Sequence, residues 1–452
     1  MKSILVRPAS RLKGKVSLLG DKSIAHRYLI LGSICKGQTR IKNFPLNQDC
    51  LNTLGALRKL GVKISLGSKR NRVAGVTIFG KGLRGLNKPA RPICVGDSGT
   101  TLRLILGILA GQTFKVKLKA GKSLSWRPML RVTHPLRMMG AKIIARQKLT
   151  SNLQSPIVKF EEYPPIIIKG GNLNPIRYKL PVASAQVKSA ILFAGLFTNR
   201  ATEVIEPIKT RDHTERLLKV FGANIKVLEN KIVIKGGQEL ITPGIVTVPG
   251  DISSASFLIV ASLILPFSCL RIKGVGLNHS RTGYLRVLKR MGADIHIKSY
   301  RPSYRLWEPI GDLCVKSSNL KGIVVKKEEI PVLIDELPVL MVAACYAKGK
   351  TVFQGIGELH FKEADRITSM SENLQKMGAV IRVFKDSRGE SIIIEGGKTL
   401  IGSKLRSFGD HRTAMSLMVC GLKAKGVTRI DDVNCINKSF PGFPAILKSL
   451  IE

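Results

Sequence analysis

Two hydrophobic patterns alternate along the chain. In the first, apolar residues at helical spacing end in a glycine that is followed by a β-branched stretch, as in LRKLGVKI (57–64). This pattern predicts the end of an amphipathic helix, a C-terminal glycine and then a strand. It recurs as LRMMGAKI (136–143), LKVFGANI (218–225), LKRMGADI (288–295) and LQKMGAVI (374–381). A sixth copy is expected at the C-terminus, where AILKSLIE stops short.

The second pattern is a helix that is apolar on every face, followed by a polar turn and a strand. Its helices contain YLILGSI, LILGILA, ILFAGLF, FLIVASL, VLMVAAC and MSLMVCGL. A helix without a polar face is buried on all sides. We therefore expect helices in the centre and sheets outside, in six units of about 70–85 residues, three to a domain.

The starts of these six helices share small, hydroxyl-bearing and charged residues. Four carry a Gly-Asp pair, at 20–21, 96–97, 250–251 and 409–410. In a parallel bundle the unpaired N–H groups and positive dipole ends would lie together and favour an anion. If two domains face each other, all six starts point into one cleft.

Capping by Asp and Ser explains several residues at these starts. It does not explain the cations and amides on the same helices, which have little polar face. These residues are Lys22, Arg27, Arg103, Gln186, Lys188 and Arg412. Cations at repeated helix starts indicate a ligand with several phosphate or carboxylate groups.

Composition limits the class of protein. The 452 residues are 44% hydrophobic and 23% charged, which is typical of a globular protein with two or more domains. The net charge is +44, but the basic residues are spread along the chain and only 5% of residues are aromatic, so bases would find few stacking partners. Eight scattered cysteines without a C-x-x-C pair indicate reduced thiols in a cytosolic protein. Neither a signal peptide nor a membrane span is expected.

Several kinds of catalytic site are disfavoured. Gly121-Lys122-Ser123 and Gly349-Lys350-Thr351 end like P-loops, but Val116 and Ala344 stand where the leading glycine is required. No His or Cys cluster has metal-ligand spacing, and no nucleophile elbow occurs. We therefore expect neither a metal nor a nucleotide triphosphate.

Ten motifs give the chain a resemblance to a known family. They are LGDKSIAHR, GDSGTTLR, SLSWRPM, ASAQVKSA, TRDHTE, PGDISSASF, IDELPVL, KEADRI, GDHRTAM and NKSFP. Their order resembles that of 5-enolpyruvylshikimate-3-phosphate (EPSP) synthases over essentially the whole chain, and ASAQVKSA and TRDHTE resemble the class II bacterial branch. The resemblance implies an inside-out α/β barrel with two domains, each of three βαβαββ units with buried parallel helices. We expect one domain at 1–19 and 249–452, the other at 20–248, and the active site in the interdomain cleft.

The resemblance also implies an activity: transfer of the enolpyruvyl group of phosphoenolpyruvate to the 5-hydroxyl of shikimate 3-phosphate, through a tetrahedral ketal and without a cofactor. Lys22, Asp335 and Glu363 are the implied catalytic residues, with Asp335 taking the hydroxyl proton and Glu363 handling the methylene proton. The residues implied for shikimate 3-phosphate are Lys22, Ser23, Arg27, Ser184, Ala185, Gln186, Arg211, Asp335 and Lys362. Those implied for phosphoenolpyruvate are Lys22, Gly99, Arg127, Gln186, Arg366, Arg412 and Lys438. Chemistry alone leaves the choice between Asp335 and Glu336 open.

Some positions depart from the family pattern. Leu19 replaces a common Pro, Asp97 stands where Asn is usual, and Ala364 replaces Ser or Thr. His360 and Phe361 stand where Arg and Val are common. None of these changes removes an implied catalytic group, but Asp97 adds negative charge beside the implied phosphoenolpyruvate site.

Two other functions remain as alternatives. UDP-N-acetylglucosamine enolpyruvyl transferases share the six-unit fold, but they place a reactive Cys in the loop that corresponds to 120–126, where this chain has none. An RNA-binding or RNA-end-processing protein would suit the +44 charge, but it leaves Asp335 and Glu363 without a role. We expect a cytoplasmic monomer that binds small-molecule substrates, without a specific nucleic-acid partner or a membrane.

Overall fold

The computed structural model describes residues 3–70, 73–149, 160–301, 308–387 and 389–452. The helices among these residues are α1 (Lys22–Ile34), α2 (Gln48–Lys59), α3 (Gly99–Leu109), α4 (Leu130–Met138), α5 (Ala185–Gly195), α6 (His213–Val220), α7 (Ile252–Ile264), α8 (Gly283–Arg290), α9 (Leu337–Tyr346), α10 (Arg366–Lys376), α11 (His411–Gly421) and α12 (Phe443–Leu450). Short 3-10 helices span Leu124–Trp126, Lys327–Val332, Gly357–Phe361 and Asn434–Lys438.

The strands are numbered in the same way along the chain. They are β1 (Ile4–Val6), β2 (Lys13–Ser17), β3 (Cys35–Lys36), β4 (Gln38–Pro45), β5 (Lys63–Arg70), β6 (Val73–Phe79), β7 (Ile93–Cys94), β8 (Lys115–Lys119), β9 (Lys142–Leu149), β10 (Phe160–Lys169), β11 (Arg177–Lys179), β12 (Ala201–Ile205), β13 (Ile225–Val227), β14 (Lys231–Lys235), β15 (Leu240–Ile241), β16 (Ile245–Thr247), β17 (Cys269–Gly276), β18 (Asp294–Arg301), β19 (Ile310–Lys316), β20 (Val324–Val325), β21 (Gly349–Phe353), β22 (Val380–Asp386), β23 (Gly389–Gly396), β24 (Lys404–Leu405) and β25 (Thr428–Ile430).

The chain forms two compact units. One, the continuous unit, is Lys22–Val248. The other, the discontinuous unit, combines Met1–Asp21 with Pro249–Glu452. The chain passes from one unit to the other after residues 21 and 248. The boundaries expected from the sequence are after residues 19 and 248.

Three sheets of the continuous unit repeat one arrangement. Their strand orders are β16-β4-β6-β5, β7-β8-β10-β9 and β11-β12-β14-β13, and β15 pairs separately with β3. In each four-stranded sheet the first two strands are parallel, as in Ile93 opposite Leu118, and the other pairs are antiparallel. With its intervening helices, the stretch from β7 to β10 is one βαβαββ unit, as is the stretch from β11 to β14.

The discontinuous unit repeats the arrangement with one truncated sheet. Two sheets have four strands, β18-β19-β17-β2 and β20-β21-β23-β22, and the third has the order β1-β25-β24. The C-terminal copy ends with α12, and the N-terminal strand β1 pairs antiparallel with β25, with Ile4 opposite Ile430. The incomplete sixth copy predicted from the sequence is thus confirmed.

The apolar helices form the centre of each unit. In the continuous unit α3 packs against α1 and α5, and in the discontinuous unit α7, α9 and α11 pack on one another. Every residue of α7 and α11 is buried, and each unit has its own hydrophobic core. The predicted inside-out fold class is therefore confirmed.

The amphipathic helices end as the glycine pattern predicts. In five of them the glycine after the last turn has a positive φ, which an L side chain rarely adopts. These residues are Gly61, Gly140, Gly222, Gly292 and Gly378. Each is followed within three residues by the start of a strand.

Candidate active site

In the continuous unit, the starts of three buried helices contact one another. Arg103 of α3 donates to Gln186 Oε1 of α5 at 2.8 Å, and Gln186 Nε2 donates to Thr100 Oγ1 at 3.0 Å. Arg27 of α1 donates to Ser189 Oγ of α5 at 2.9 Å. All these residues lie in the first turns of their helices, so the helices are parallel and their positive ends lie together.

Arg27 is a buried guanidinium that joins three helices. Besides the bond to α5, its Nε donates to Thr214 Oγ1 of α6 at 2.6 Å and its Nη1 to the Ser23 carbonyl at 2.9 Å. The residue is only 3% exposed. The planar donor group is therefore held in one orientation before any ligand arrives.

Lys22 begins α1 and forms an ion pair. Its Nζ is 3.0 Å from Asp49 Oδ2, and both side chains are largely buried. Asp49 holds the ammonium group at the start of the helix, where an anionic ligand could exchange with the carboxylate.

Gly99 lies directly against two guanidinium groups. A Cβ at this position would be 2.8 Å from Arg127 Nη1 and 2.9 Å from Arg103 Nη1. Arg103 is also fixed by a bond to the Pro128 carbonyl at 3.0 Å. The first turn of α3 thus combines backbone N–H groups with two cations, which is suited to phosphate or carboxylate.

Asp97 organises the loop that carries Arg127. Its Oδ1 accepts hydrogen bonds from the backbone N–H groups of Ser123 and Leu124, at 3.0 and 3.1 Å. These residues lead into the 3-10 helix Leu124–Trp126, directly before Arg127. The structure therefore gives the Oδ1 atom of Asp97 a physical role, which the Oδ1 atom of the usual Asn can also fill.

Arg211 lies in a segment that is anchored by a buried lysine. Lys188 of α5 is 2.9 Å from Glu206 Oε2 and 2.5 Å from Glu215 Oε1. Glu206 also accepts a hydrogen bond from Thr210 Oγ1, next to Arg211. Desolvation lowers the pKa of Lys188, but the two carboxylates outweigh it and raise the pKa, so this lysine stays charged.

Ser184 and Ala185 define the start of α5. Ser184 is the N-cap residue, and its side chain accepts from the Val187 N–H. Ala185 is the first helical residue. The capping role that the sequence suggested for Ser is confirmed at this helix, while substrate contacts of both residues remain a prediction.

In the discontinuous unit, Arg366 joins three carboxylates. Its guanidinium lies 2.6 Å from Glu363 Oε2, 2.9 Å from Asp410 Oδ2 and 3.3 Å from Asp335 Oδ1. Burial lowers the pKa of Arg366, but the carboxylates, of which Asp410 contributes most, outweigh burial and raise the pKa above its ordinary value. The group therefore remains a cation. Three acidic side chains from separate segments are thereby held by one guanidinium group.

Arg412 distinguishes Asp335 from its neighbour. It donates to the Asp335 carbonyl at 2.6 Å and lies 3.5 Å from Glu336 Oε1. Glu336 is 1% exposed and accepts from Ser253 Oγ, whereas the Asp335 side chain is 21% exposed. Of the two acids that chemistry alone could not separate, Asp335 is therefore the more exposed.

Two lysines lie beside this cluster. Lys438 Nζ donates to the Gly409 carbonyl at 3.4 Å, at the start of α11. Lys362 follows the 3-10 helix Gly357–Phe361 and precedes Glu363. Lys438 thus contacts the segment that carries Asp410, and Lys362 belongs to the segment that carries Glu363.

Sequence reasoning missed Asp410 as a member of this cluster. Asp410 caps α11 by accepting from the Arg412 N–H at 2.7 Å, and it also pairs with Arg366. Burial raises the pKa of Asp410, but the Arg366 guanidinium outweighs it, so the pKa lies below its ordinary value. The Gly-Asp repeat signalled the cap, but nothing in the sequence linked it to a residue 44 positions earlier.

A second buried network was also missed. Arg281 lies 3.2 Å from Asp21 and 3.6 Å from Asp251, and donates to Ser253 Oγ. Ser253 in turn donates to Glu336. This network supports the Asp335 segment from inside the protein.

No three His, Cys, Asp or Glu side chains of the described residues could hold a metal ion together. All eight cysteines are free. Within the described part of the chain, no helix is both long and apolar enough to cross a membrane.

Comparisons with known proteins identify relatives over the whole chain. The family model of EPSP synthase (3-phosphoshikimate 1-carboxyvinyltransferase) matches residues 6–447. The 3-phosphoshikimate 1-carboxyvinyltransferase of Desulforamulus reducens is 46% identical over 449 residues, 99% of each chain, and that of Geobacter sp. (strain M21) is 43% identical over 452 residues, 100% of each.

Solved structures show the same relationship. The structure of EPSP synthase from Acinetobacter baumannii has a TM-score of 0.83 and 39% identity, covering 100% of this chain and 98% of that one. The enolpyruvyl transferase NikO from Streptomyces tendae has a TM-score of 0.74 at 18% identity, covering 99% and 97%. The second likeness concerns the fold alone.

Proposed function

This chain belongs to the EPSP synthase family, and we propose that it transfers the enolpyruvyl group of phosphoenolpyruvate to the 5-hydroxyl of shikimate 3-phosphate. The reaction releases phosphate and serves chorismate and aromatic amino-acid biosynthesis. The observation that carries the proposal is the pair of ion pairs made by the Arg366 guanidinium group, because they hold the two partly exposed carboxylates Asp335 and Glu363. Addition of a hydroxyl group to an enol phosphate, followed by elimination of phosphate, moves one proton at the hydroxyl oxygen and one at the methylene carbon, and two such acid–base groups can carry them.

The proposed mechanism moves one proton through each carboxylate. Asp335 accepts the proton of the 5-hydroxyl while this oxygen attacks C2 of phosphoenolpyruvate, and Glu363 protonates the methylene carbon, which gives the tetrahedral ketal. Glu363 then removes a proton from the new methyl group, and the C–O bond to phosphate breaks to form the enolpyruvyl ether. The proton taken from the hydroxyl leaves with the inorganic phosphate. Lys22 remains a cation that contacts both substrates.

Charge explains the many cations of the proposed site. The two substrates bring a charge of about −5 to −6, and unpaired charges out of water are prohibitively costly. In the continuous unit, the proposed ligands of shikimate 3-phosphate are Lys22, Ser23, Arg27, Ser184, Ala185, Gln186 and Arg211. Asp335 and Lys362 of the discontinuous unit are proposed to contact the same substrate.

Phosphoenolpyruvate is proposed to bind a second set of residues, most of them cations. Its phosphate and carboxylate suit the cluster at Gly99, where Arg127 lies against the first turn of α3. The other proposed ligands are Lys22, Gln186, Arg366, Arg412 and Lys438. Carboxylates and guanidinium groups supply the acid–base and electrostatic catalysis, so we propose a reaction without a cofactor.

We propose that the chain acts as a cytoplasmic monomer. One chain carries all the residues assigned to both substrates, and its eight free cysteines fit a reducing compartment. Sedimentation of the purified protein checks the first point, because a dimer would give twice the mass of 49.4 kDa. Cell fractionation checks the second.

Phosphate release tests the function directly. We expect release only when phosphoenolpyruvate and shikimate 3-phosphate are both present, and a kcat lowered by about 100- to 10,000-fold in Glu363→Gln. Glu372→Gln, an exposed glutamate of α10, is the matched control and should retain full activity. Release with UDP-N-acetylglucosamine instead of shikimate 3-phosphate would assign the chain to the other transferase family.

A further inference from the structure

His360 lies between two carboxylates. It belongs to the 3-10 helix Gly357–Phe361, and its Nδ1 is 2.7 Å from Asp365 Oδ2 while its Nε2 is 2.5 Å from Glu390 Oε2. The ring is about two-thirds buried, with 34% of the side chain exposed. Both nitrogens of one imidazole therefore face an acidic oxygen.

Only the protonated ring satisfies this arrangement. A neutral imidazole has one N–H donor and one acceptor nitrogen, whereas an ionised carboxylate only accepts. The acceptor nitrogen of a neutral ring would therefore repel one of the two carboxylates. Desolvation lowers the pKa of His360, but the hydrogen bonds and charges of Asp365 and Glu390 outweigh it and raise the pKa above 6.5.

The charged surroundings of the ring come from several elements. The 3-10 helix packs against α10 and β23, which present Asp365 at the N-cap and Glu390, respectively. Lys385 of β22 is opposite Glu390 in the strand register, and Glu358 is the acidic residue of the 3-10 helix itself. Lys362 follows the 3-10 helix and Arg366 begins α10, but the two groups in direct contact with the ring are carboxylates, which favour the imidazolium.

Asp365 links the ring to the proposed catalytic groups. Its Oδ1 accepts the first N–H groups of α10 at 3.0 and 3.1 Å, so it caps the helix that Arg366 begins. Glu363 lies between His360 and this cap in the chain, and it is held by Arg366 at 2.6 Å. One ring nitrogen contacts the N-cap residue of α10, and the other contacts β23. The ring therefore connects the segment that carries Glu363 to both of these elements.

We propose that the protonated ring of His360 is a positioning group for Glu363 and Arg366, and that enolpyruvyl transfer slows when the ring loses its proton. This inference rests on the proposed function. A group whose pKa is raised by folding contributes fully at low pH and loses its contribution as the pH rises through the folded pKa. The expected signature is therefore a fall of kcat on the alkaline side.

The test compares pH profiles of kcat, between about pH 5.5 and 9, for the wild type and two variants. His360→Gln should have a kcat about tenfold below the wild type at pH 6, because a small misplacement of a catalytic group costs this much, and it should lack the alkaline fall. His360→Arg keeps a permanent cation and should retain activity at high pH. His296→Gln, which removes an exposed His–Asp pair at 2.7 Å on β18, should leave the profile unchanged.

An NMR titration of the His360 ring in the wild type gives a second measurement that does not depend on how the variants fold. Its midpoint should coincide with the midpoint of the alkaline fall. The inference is overturned if His360→Gln keeps the fall at the same pH, or if the ring titrates below 6.5. Absence of phosphate release from the wild type at every pH would instead refute the proposed function.

Discussion

Replacing Gly99 by alanine is expected to weaken the binding of phosphoenolpyruvate with little effect on the stability of the protein. The new Cβ would lie 2.8 Å from Arg127 Nη1 and 2.9 Å from Arg103 Nη1. Both guanidinium groups must therefore shift, and the larger shift is that of the Arg127 guanidinium. Ordinary contact begins at about 3.4 Å, so this guanidinium must move by about 0.6 Å.

The size of the effect follows from that displacement. A hydrogen bond between charged groups contributes about 1.5–3 kcal/mol, and loss of roughly half of a contact at the upper end of this range corresponds to about 1.4 kcal/mol, or tenfold in affinity. We therefore expect KM for phosphoenolpyruvate to rise about tenfold in Gly99→Ala. Stability should change little, because the atoms that meet the new Cβ are the far ends of two flexible arginine side chains.

Steady-state phosphate release at varied phosphoenolpyruvate, with saturating shikimate 3-phosphate, measures the KM, and urea unfolding measures the stability. Gly55→Ala in α2 is the matched control, since nothing lies within 4 Å of its new Cβ. It should leave KM unchanged. An unaltered KM in Gly99→Ala, or an equal rise of KM for both substrates, would refute the assignment of Arg127 to phosphoenolpyruvate.

Substitutions at Lys188 and Asp97 test two residues that hold segments of the proposed site in place. Lys188→Met leaves Glu206 and Glu215 buried without their cation, so the free energy of unfolding in urea should fall by about 3–5 kcal/mol. The loss should be smaller at pH 5 than at pH 8, because burial raises the pKa of Glu215 and this carboxyl group then takes up a proton. Asp97→Ala removes the acceptor of two backbone N–H groups before Arg127 and should raise KM for phosphoenolpyruvate several-fold, whereas Asp97→Asn keeps an acceptor oxygen and should change it less.

Each of these two tests has a clear contrary result. A Lys188→Met protein as stable as the wild type would mean that apolar packing replaces the ion pairs without loss. Equal KM values for Asp97→Ala and Asp97→Asn would mean that the charge of Asp97, and not its hydrogen bonds to the loop, determines its effect.

Prediction from the sequence succeeded where a local pattern has a local physical cause. The glycine at 378 ends α10 because the turn after the helix needs a positive φ, and FLIVASL is buried in α7 because it has no polar face. The last helix of the sixth copy was also visible, because AILKSL, which lies in α12, has apolar residues at helical spacing. Such features depend on neighbours within a few residues.

The candidate site was predicted only as a set of residue types. Ten ordered motifs pointed to Asp335, Glu363 and Arg366, but spacing could not separate Asp335 from Glu336, because adjacent carboxylates have the same chemistry. Burial made that distinction, since Glu336 is enclosed beside Ser253 and Asp335 is partly exposed.

The sequence by itself determined the repeats, the buried helices, their caps and the excess of cations at their starts, because each follows from local backbone preference and hydrophobic periodicity. Only the tertiary structure decided the partners: Arg366 with Asp410, Lys188 with Glu206 and Glu215, and His360 with Asp365 and Glu390. Most of these pairs join residues that are distant in the chain. Their energies depend on distance and burial, and both quantities exist only after the chain has folded.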